Sequence, residues 1–308
     1  MKRVYFYFSI FLLFSHYSYS QNSLLDIEKI FKDGKFKKAL DLVNSDILKN
    51  GENDQNASLK SQILLYVNGD DAWENVQHTI SKFPNSSKAY FVRANFYFEM
   101  RQMQNSINDF NKAYELCKDD SLKYDILIGR SGVYHHSEQI KNAIDDCEMA
   151  LKLRPTSIDA LNNLAGSKFD NGESEEAEKI LLRMKEIDPK YIGVYINLGY
   201  QMQQLGNYEK AKKYLLEGLQ VDEKNSYINN NLGYTEFKLG NTDQAINYIN
   251  KSLKINPQNS YAFRNLALIY LSKSDKEKAC ENIKKALMFK FSEMYGNEVE
   301  LLRQKYCL

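Results

Sequence analysis

The stretch YINLGYQMQQLGNYEKAKKYLLEGLQVD, residues 195–222, contains the pattern that decides the fold. Its alanine, Ala211, belongs to a series of small residues spaced 34 residues apart over most of the chain, with intervals of 37, 34 and 33 residues toward the N-terminus. The series consists of Ala39, Ala72, Ser106, Ala143, Ala177, Ala211, Ala245 and Ala279. A small residue at this period is typical of helical repeat arrays, in which each unit is a pair of helices.

Other residue types recur in phase with this series. When the small residue is numbered 20, units begin at residues 53, 87, 124, 158, 192, 226 and 260, and a weakly matching unit spans 21–52. Position 8 is small, position 24 is usually large and apolar, position 15 is often glycine, and all four prolines occupy position 32. Small residues let two helices approach closely, whereas glycine and proline end helices. The pattern predicts an all-α solenoid over residues 21–293.

Two features depart from the regular pattern. Arg93 and Arg130 occupy position 7, where the later units carry leucine, and three additional residues occur near Lys118. Because a charged side chain replaces an apolar one at these sites, we expect looser packing in this part of the array.

The first twenty residues differ from the rest in composition. Lys2 and Arg3 precede an apolar run, residues 4–14, which is followed by the small residues Ser18 and Ser20. This order predicts a secretory signal peptide over residues 1–20. The run is too short to span a bilayer, although an uncleaved interfacial anchor is an alternative. We therefore expect an exported protein, either periplasmic in a Gram-negative bacterium or secreted, without an integral membrane span in the mature chain.

The C-terminus is predicted to form a capping helix over residues 294–308, in which Asn297 and Glu300 have the spacing of a capping box. If this helix runs back antiparallel to the preceding one, Cys280 and Cys307 lie at the same end of the stack, and we predict a disulfide between them. Cys117 and Cys147 are offset by about 10 Å along parallel helices, which is too far for a disulfide.

Residues 195–222 and the stretch YAFRNLALIYLSKSDKEKACENIKKAL, residues 261–287, match the small, large and turn positions together. In this combination the chain resembles the tetratricopeptide repeat (TPR) family over residues 53–293. The resemblance implies a right-handed solenoid of helix-turn-helix repeats. It also implies that the first helix of each unit lines a concave face that binds an extended segment of another protein.

Candidate residues for such binding lie at the first-helix positions that this resemblance assigns to the groove. Asparagine occupies position 6 in four consecutive units, and its amide matches the donors and acceptors of an extended peptide backbone. The same amides could instead bond within the scaffold. The predicted binding residues are Asn163, Asn197, Asn231, Asn265, Asn162, Asn230, Phe169, Tyr200, Tyr234, Phe237 and Arg264.

Other function classes have little support in the sequence. The net charge of +1 shows no excess of basic residues of the kind that binds nucleic acid. No phosphate-binding loop or nucleophile motif is present. His135 and His136 are adjacent and therefore point to different helix faces, so they cannot chelate one ion. We predict a non-enzymatic scaffold without metal or cofactor that binds a protein or peptide partner. A self-associating subunit of an envelope complex is an alternative, and a glycan-binding or enzymatic subunit is a weaker one. The sequence leaves the partner and the oligomeric state open.

Overall fold

In the computed structural model, which describes residues 22–307, the described chain forms eighteen α-helices and no strand. Among these residues, those up to Asn171 form one compact unit and those from Gly172 form a second. The predicted signal peptide, residues 1–20, lies outside the described residues.

The N-terminal unit contains nine helices, eight of which form four helix-turn-helix pairs. The second helix of each pair also packs against the first helix of the next pair. The helices are α1 (Asn22–Lys32), α2 (Phe36–Asn50), α3 (Asp54–Leu64), α4 (Gly69–Lys82), α5 (Ser87–Glu99), α6 (Met103–Leu116), α7 (Asp120–His136), α8 (Ile140–Leu153) and α9 (Ile158–Asp170).

The C-terminal unit repeats this arrangement and ends in two shorter helices that follow the last pair. Its helices are α10 (Ser174–Ile187), α11 (Ile192–Gln204), α12 (Tyr208–Val221), α13 (Ser226–Lys238), α14 (Thr242–Ile255), α15 (Ser260–Ser272), α16 (Lys276–Met288), α17 (Phe291–Tyr295) and α18 (Glu298–Tyr306). The chain is therefore an all-α solenoid of stacked helix pairs, as the 34-residue period predicts.

The residues that recur at positions 8, 20 and 24 form the contacts within and between the pairs. All eight members of the small-residue series at position 20 are fully buried. At position 24, Phe110, Cys147, Leu215 and Ile249 are also fully buried. Ser106 fits into the series because its hydroxyl donates to the Ala94 carbonyl at 2.7 Å, which satisfies its polar group.

The turn inside most pairs has a left-handed residue at position 15, with Val67 between α3 and α4 as an exception. Gly172, which has φ of 86°, represents the glycines at this site. Arg101, Glu138 and Ser274 take the same position in three other pairs, with φ values of 58°, 62° and 59°. Non-glycine residues adopt this conformation at a steric cost, so the turn geometry is imposed by the packing of the two helices.

The arginines at position 7, where looser packing is expected, form ion pairs. Arg93 donates from Nε and Nη2 to the Asp109 carboxylate at 2.6 and 2.9 Å, and Arg130 binds Asp146 in the same way at 2.7 Å for both contacts. Asp146 is only 3% exposed. Each arginine thus joins the two helices of its pair. The three additional residues near Lys118 extend the start of α7, which has 17 residues.

The chain end differs in detail from the predicted capping helix. A five-residue helix, α17, precedes α18, and Gly296 between them has φ of 89°. The predicted capping box is wrong, because the Asn297 side chain makes no cap hydrogen bond and Glu300 instead accepts a hydrogen bond from Ser292. Helix α18 packs against α16, and its Val299 is fully buried.

Candidate functional site

Eight of the eleven predicted binding residues lie on α11, α13 and α15 of the C-terminal unit. These three are first helices of consecutive pairs, and α13 contacts both α11 and α15. We call their shared side the first-helix face, defined by Tyr200, Asn231, Tyr234, Phe237, Lys238 and Arg264. Lys238 is exposed, and the other five are half-buried. Aromatic rings and an arginine that remain partly accessible are the residue types that dominate protein interfaces.

The asparagines of this unit form a hydrogen-bonded series. The Asn265 amide nitrogen donates to Asn230 Oδ1 at 3.0 Å, and the Asn230 amide nitrogen donates to Asn231 Oδ1 at 3.4 Å. Asn265 and Asn230 are 2% and 4% exposed, so these two amides act inside the stack. Asn231 is half-buried, and the described residues provide no partner for its amide nitrogen. Peptide contact by these side chains stays a prediction, for which half-buried Asn197 and Asn231 are the accessible members.

Arg264 links the asparagine series to the capping helix. Its Nη1 donates to Asn265 Oδ1 at 2.8 Å, and its Nη2 lies 2.7 Å from Glu298 Oε1 on α18. The guanidinium lies 5.5 Å from the ring centre of Tyr234 and 5.9 Å from that of Tyr261. Burial raises the pKa of the Tyr261 hydroxyl, and the nearby positive charge of Arg264 acts in the opposite direction. The guanidinium is therefore held between two aromatic rings and one carboxylate.

The other three predicted residues belong to α9 of the N-terminal unit. Asn163 is 6% exposed, and its amide nitrogen donates to Ser131 Oγ at 3.4 Å. Asn162 and Phe169 are half-buried. Like Asn265 in the C-terminal unit, Asn163 at position 6 bonds to the preceding repeat, and its neighbour Asn162 at position 5 is more accessible.

Sequence reasoning missed the buried carboxylates of the N-terminal unit. Asp125 is largely buried, and its Oδ1 has no hydrogen-bond partner among the described residues and lies 3.8 Å from Arg154 Nη1. Burial raises the pKa of this carboxyl to about 7. The Arg93–Asp109 and Arg130–Asp146 pairs were also missed. Both carry a readable signal, since each aspartate follows its arginine by 16 residues.

The cysteines fall into two classes. Cys280 and Cys307 form a disulfide, with 5.6 Å between their Cα atoms, which ties the end of α18 to α16. Cys117 and Cys147 are free and buried. Burial raises the pKa of the Cys147 thiol to about 12, so it is protonated and unreactive at neutral pH.

Within residues 22–307, no three or more His, Cys, Asp or Glu side chains are grouped so that they could hold a metal ion. His135 lies with Nε2 2.9 Å from an Asp170 carboxylate oxygen, and the ring of His136 packs against Phe98. In the same part of the chain, none of the helices combines the length and apolar composition needed to cross a bilayer.

Comparison with known families identifies tetratricopeptide repeats in both units. Family models described as tetratricopeptide repeat match residues 87–120, 192–225, 226–259 and 248–281. Three of these matches begin at the first residues of α5, α11 and α13, and the fourth begins within α14. The repeats that carry the first-helix face are therefore among those that the family models match.

Two solved structures share the fold. The crystal structure of the APC/C hetero-tetramer Cut9–Hcn1 contains a chain that is similar over 94% of this protein, with 16% identity and a TM-score of 0.64. The match covers 56% of that chain, so this protein spans little more than half its length. A structure of PilF from Pseudomonas aeruginosa is similar over 71% of this protein and 96% of its own chain, with 18% identity and a TM-score of 0.53. At these identities the similarity shows the fold alone.

Proposed function

Because the chain contains tetratricopeptide repeats, we propose that it is an exported protein–protein interaction scaffold that holds an extended segment of a partner on its first-helix face. Repeats of this class are generally non-enzymatic scaffolds that bind proteins. The residues proposed to contact the partner are Asn197, Tyr200, Asn231, Tyr234 and Phe237 in the C-terminal unit, with Asn162 and Phe169 as further candidates in the N-terminal unit.

The observation that carries this proposal is the amide of Asn231. Its oxygen accepts a hydrogen bond from Asn230, which orients the amide, while its nitrogen has no partner among the described residues. A half-buried donor held in a fixed direction suits a peptide carbonyl, because its orientation is set before binding. Half-buried Tyr234 and Phe237 on the same helix offer apolar area beside it.

Export is supported by two features. The first twenty residues have the order of a signal peptide. The Cys280–Cys307 disulfide is of a kind that forms and persists in oxidising compartments. A periplasmic or secreted location is consistent with both.

Affinity capture from the native compartment tests the binding mode. We expect Asn197→Ala combined with Asn231→Ala to weaken partner capture about tenfold, which corresponds to the loss of about 1.4 kcal/mol of hydrogen bonding. Circular dichroism should show an intact fold, with a small fall in melting temperature because the buried Asn230 amide loses its acceptor. Asn250→Ala on α14 is the matched control, because its side chain is exposed on a second helix. Undiminished capture by a folded double variant contradicts the proposal.

A second candidate function is self-association through the N-terminal pair. Leu25, Leu42 and Leu48 on α1 and α2 are 39%, 37% and 88% exposed. If this surface joins two copies, the molar mass measured by light scattering should rise with protein concentration, and Leu48→Glu should abolish that rise. A constant monomer mass excludes this candidate.

A further inference from the structure

The guanidinium of Arg264 has unused binding capacity. Its two terminal nitrogens contact Glu298 and Asn265, whereas Nε is buried and has no hydrogen-bond partner. A guanidinium can bind a carboxylate through two parallel hydrogen bonds. The buried Nε is therefore a donor that a differently placed carboxylate could use.

Positive charge at this end of the first-helix face is only partly compensated. Lys238 Nζ lies 5.7 Å from the centre of the Tyr234 ring, which Arg264 also contacts. Lys238 is exposed, and no carboxylate of the described chain lies within ion-pair distance of it. Two cations thus lie against one aromatic ring, while only Arg264 has an acidic partner. An anionic side chain is the complementary ligand.

The carboxylate that occupies Arg264 comes from a short helix. Helix α18 has nine residues, of which Val299 is buried and Glu298, Glu300, Leu302 and Tyr306 are half-buried. A helix of this length is not stable in isolation. The disulfide at Cys307 holds its far end to α16. Val299, the next residue, is fully buried and holds this end of α18, so Glu298 can leave Arg264 by rotating its own partly exposed side chain while the helix stays in place.

We propose that Arg264 anchors a carboxylate-binding site, that Glu298 occupies this site as an internal competitor, and that an acidic segment of the protein partner displaces it. The inference rests on the proposed function, and it specifies the chemistry of the bound segment. Glutamate or aspartate side chains of that segment bind Arg264 through Nη2 and Nε, with Lys238 contacting a second carboxylate.

The tether makes Glu298 an effective competitor. A group attached close to its site has a high effective concentration, so an external carboxylate must compete with one that is always present. The exchange replaces one ion pair by another, and acidic ligands therefore bind more weakly than Arg264 alone would allow. Removing the charge of Glu298 should strengthen their binding by about tenfold, which is the factor expected from an ion pair of about 1.4 kcal/mol.

Fluorescence anisotropy with two defined peptides tests this. The probes are fluorescein-labelled (Glu-Ala)4 and its neutral counterpart (Gln-Ala)4, both amidated and measured at one fixed salt concentration. We expect Glu298→Gln to bind the acidic peptide about tenfold more tightly than the wild type and to leave the neutral peptide unchanged. Glu293→Gln is the matched control, because it removes one exposed carboxylate from α17 without contacting Arg264.

Arg264→Gln completes the test and should abolish the preference for the acidic peptide, whereas Arg303→Gln, on the exposed side of α18, should preserve it. Circular dichroism of each variant checks that the fold is intact. The inference is overturned if Glu298→Gln binds the acidic peptide no better than the wild type, or if the gain is equal for both peptides. Partner capture that survives such a result would leave the scaffold function standing, which separates the two failures.

Discussion

Replacing Gly233 by alanine should destabilise the C-terminal unit. Gly233 occupies position 8 of its repeat on α13, where this helix passes close to α14. A β-carbon at this site would lie 2.4 Å from Cγ1 of Ile249 and 3.0 Å from the carbonyl oxygen of Ala245. Carbon atoms in contact are normally about 3.5–4.0 Å apart. Ile249 is fully buried, and the Ala245 oxygen belongs to the backbone, so neither can move away freely.

Two opposing effects set the magnitude. Additional volume in a well-packed core costs about 1–3 kcal/mol. Alanine in the middle of a helix is more favourable than glycine by about 0.5–1 kcal/mol. We therefore expect Gly233→Ala to lower the free energy of unfolding by about 0.5–2 kcal/mol. Ile249→Ala removes the carbon atom 2.4 Å away and should relieve part of the clash, so that the two changes together cost less than the sum of the single changes.

Hydrogen exchange measured by mass spectrometry is the appropriate assay, because stacked repeats need not unfold as one cooperative unit. Protection should fall in α13 and α14 and remain unchanged in α2 and α3. Gly69→Ala is the matched control: this glycine starts α4, and a β-carbon there would meet nothing within 4 Å. If Gly233→Ala exchanges and melts like the wild type, the two helices do not approach as closely as described, and the reasoning is refuted.

Three further predictions concern charge and crosslinking. Burial raises the pKa of the Asp125 carboxyl to about 7, so the stability that the protonated carboxyl contributes is present below about pH 4 and is lost as the pH rises through 7. Denaturant unfolding at several pH values should show that Asp125→Asn removes this decline, which is at most about 4 kcal/mol. A pH profile of stability that is unchanged in Asp125→Asn contradicts the prediction. Arg130→Leu should lower the free energy of unfolding by about 3–5 kcal/mol because Asp146 is left buried without its partner. Adding Asp146→Leu should restore most of this loss in the same assay. Equal stability of the single and the double variant would show that the ion pair is unimportant. Cys307→Ser removes a disulfide between residues 27 positions apart and should destabilise the packing of α18 on α16 by about 3.5 kcal/mol. The loss should appear as faster hydrogen exchange in α16 and α18. Unchanged exchange would show that packing alone holds α18 in place.

The sequence predicted the helix interfaces well because the same contacts between helices recur in every repeat. Ala211 and Ala245 are fully buried, as position 20 requires, and so is Leu215 at position 24. The same regularity predicted the left-handed turn from glycine at position 15. In the structure, Glu138 and Ser274 at the same position are also left-handed, although they are not glycine. A property that depends only on position within the repeat can be read from the period.

The role of the asparagines could not be read in this way. Position 6 lies at the edge between the accessible face of a first helix and the contact with the preceding first helix. The period fixes the position but not which of these two sides the amide occupies. The structure directs Asn265 to Asn230 at 3.0 Å and Asn163 to Ser131 at 3.4 Å, so both bond to the preceding repeat. Side-chain conformation, which the repeat does not constrain, decides the outcome.

Two arginines with similar ion pairs illustrate how location separates structure from function. The partner of Arg130 is Asp146, 16 residues away in the same helix pair and 3% exposed, so this pair cannot open without disrupting the repeat. The partner of Arg264 is Glu298, which is 34 residues away and therefore occupies the place that position 5 would have in a following repeat. That place belongs to a nine-residue helix, on which the Glu298 side chain is 18% exposed. An acidic ligand can displace Glu298, whereas none can displace Asp146. The end of the array is therefore where the scaffold can exchange one of its own contacts for a contact with a partner.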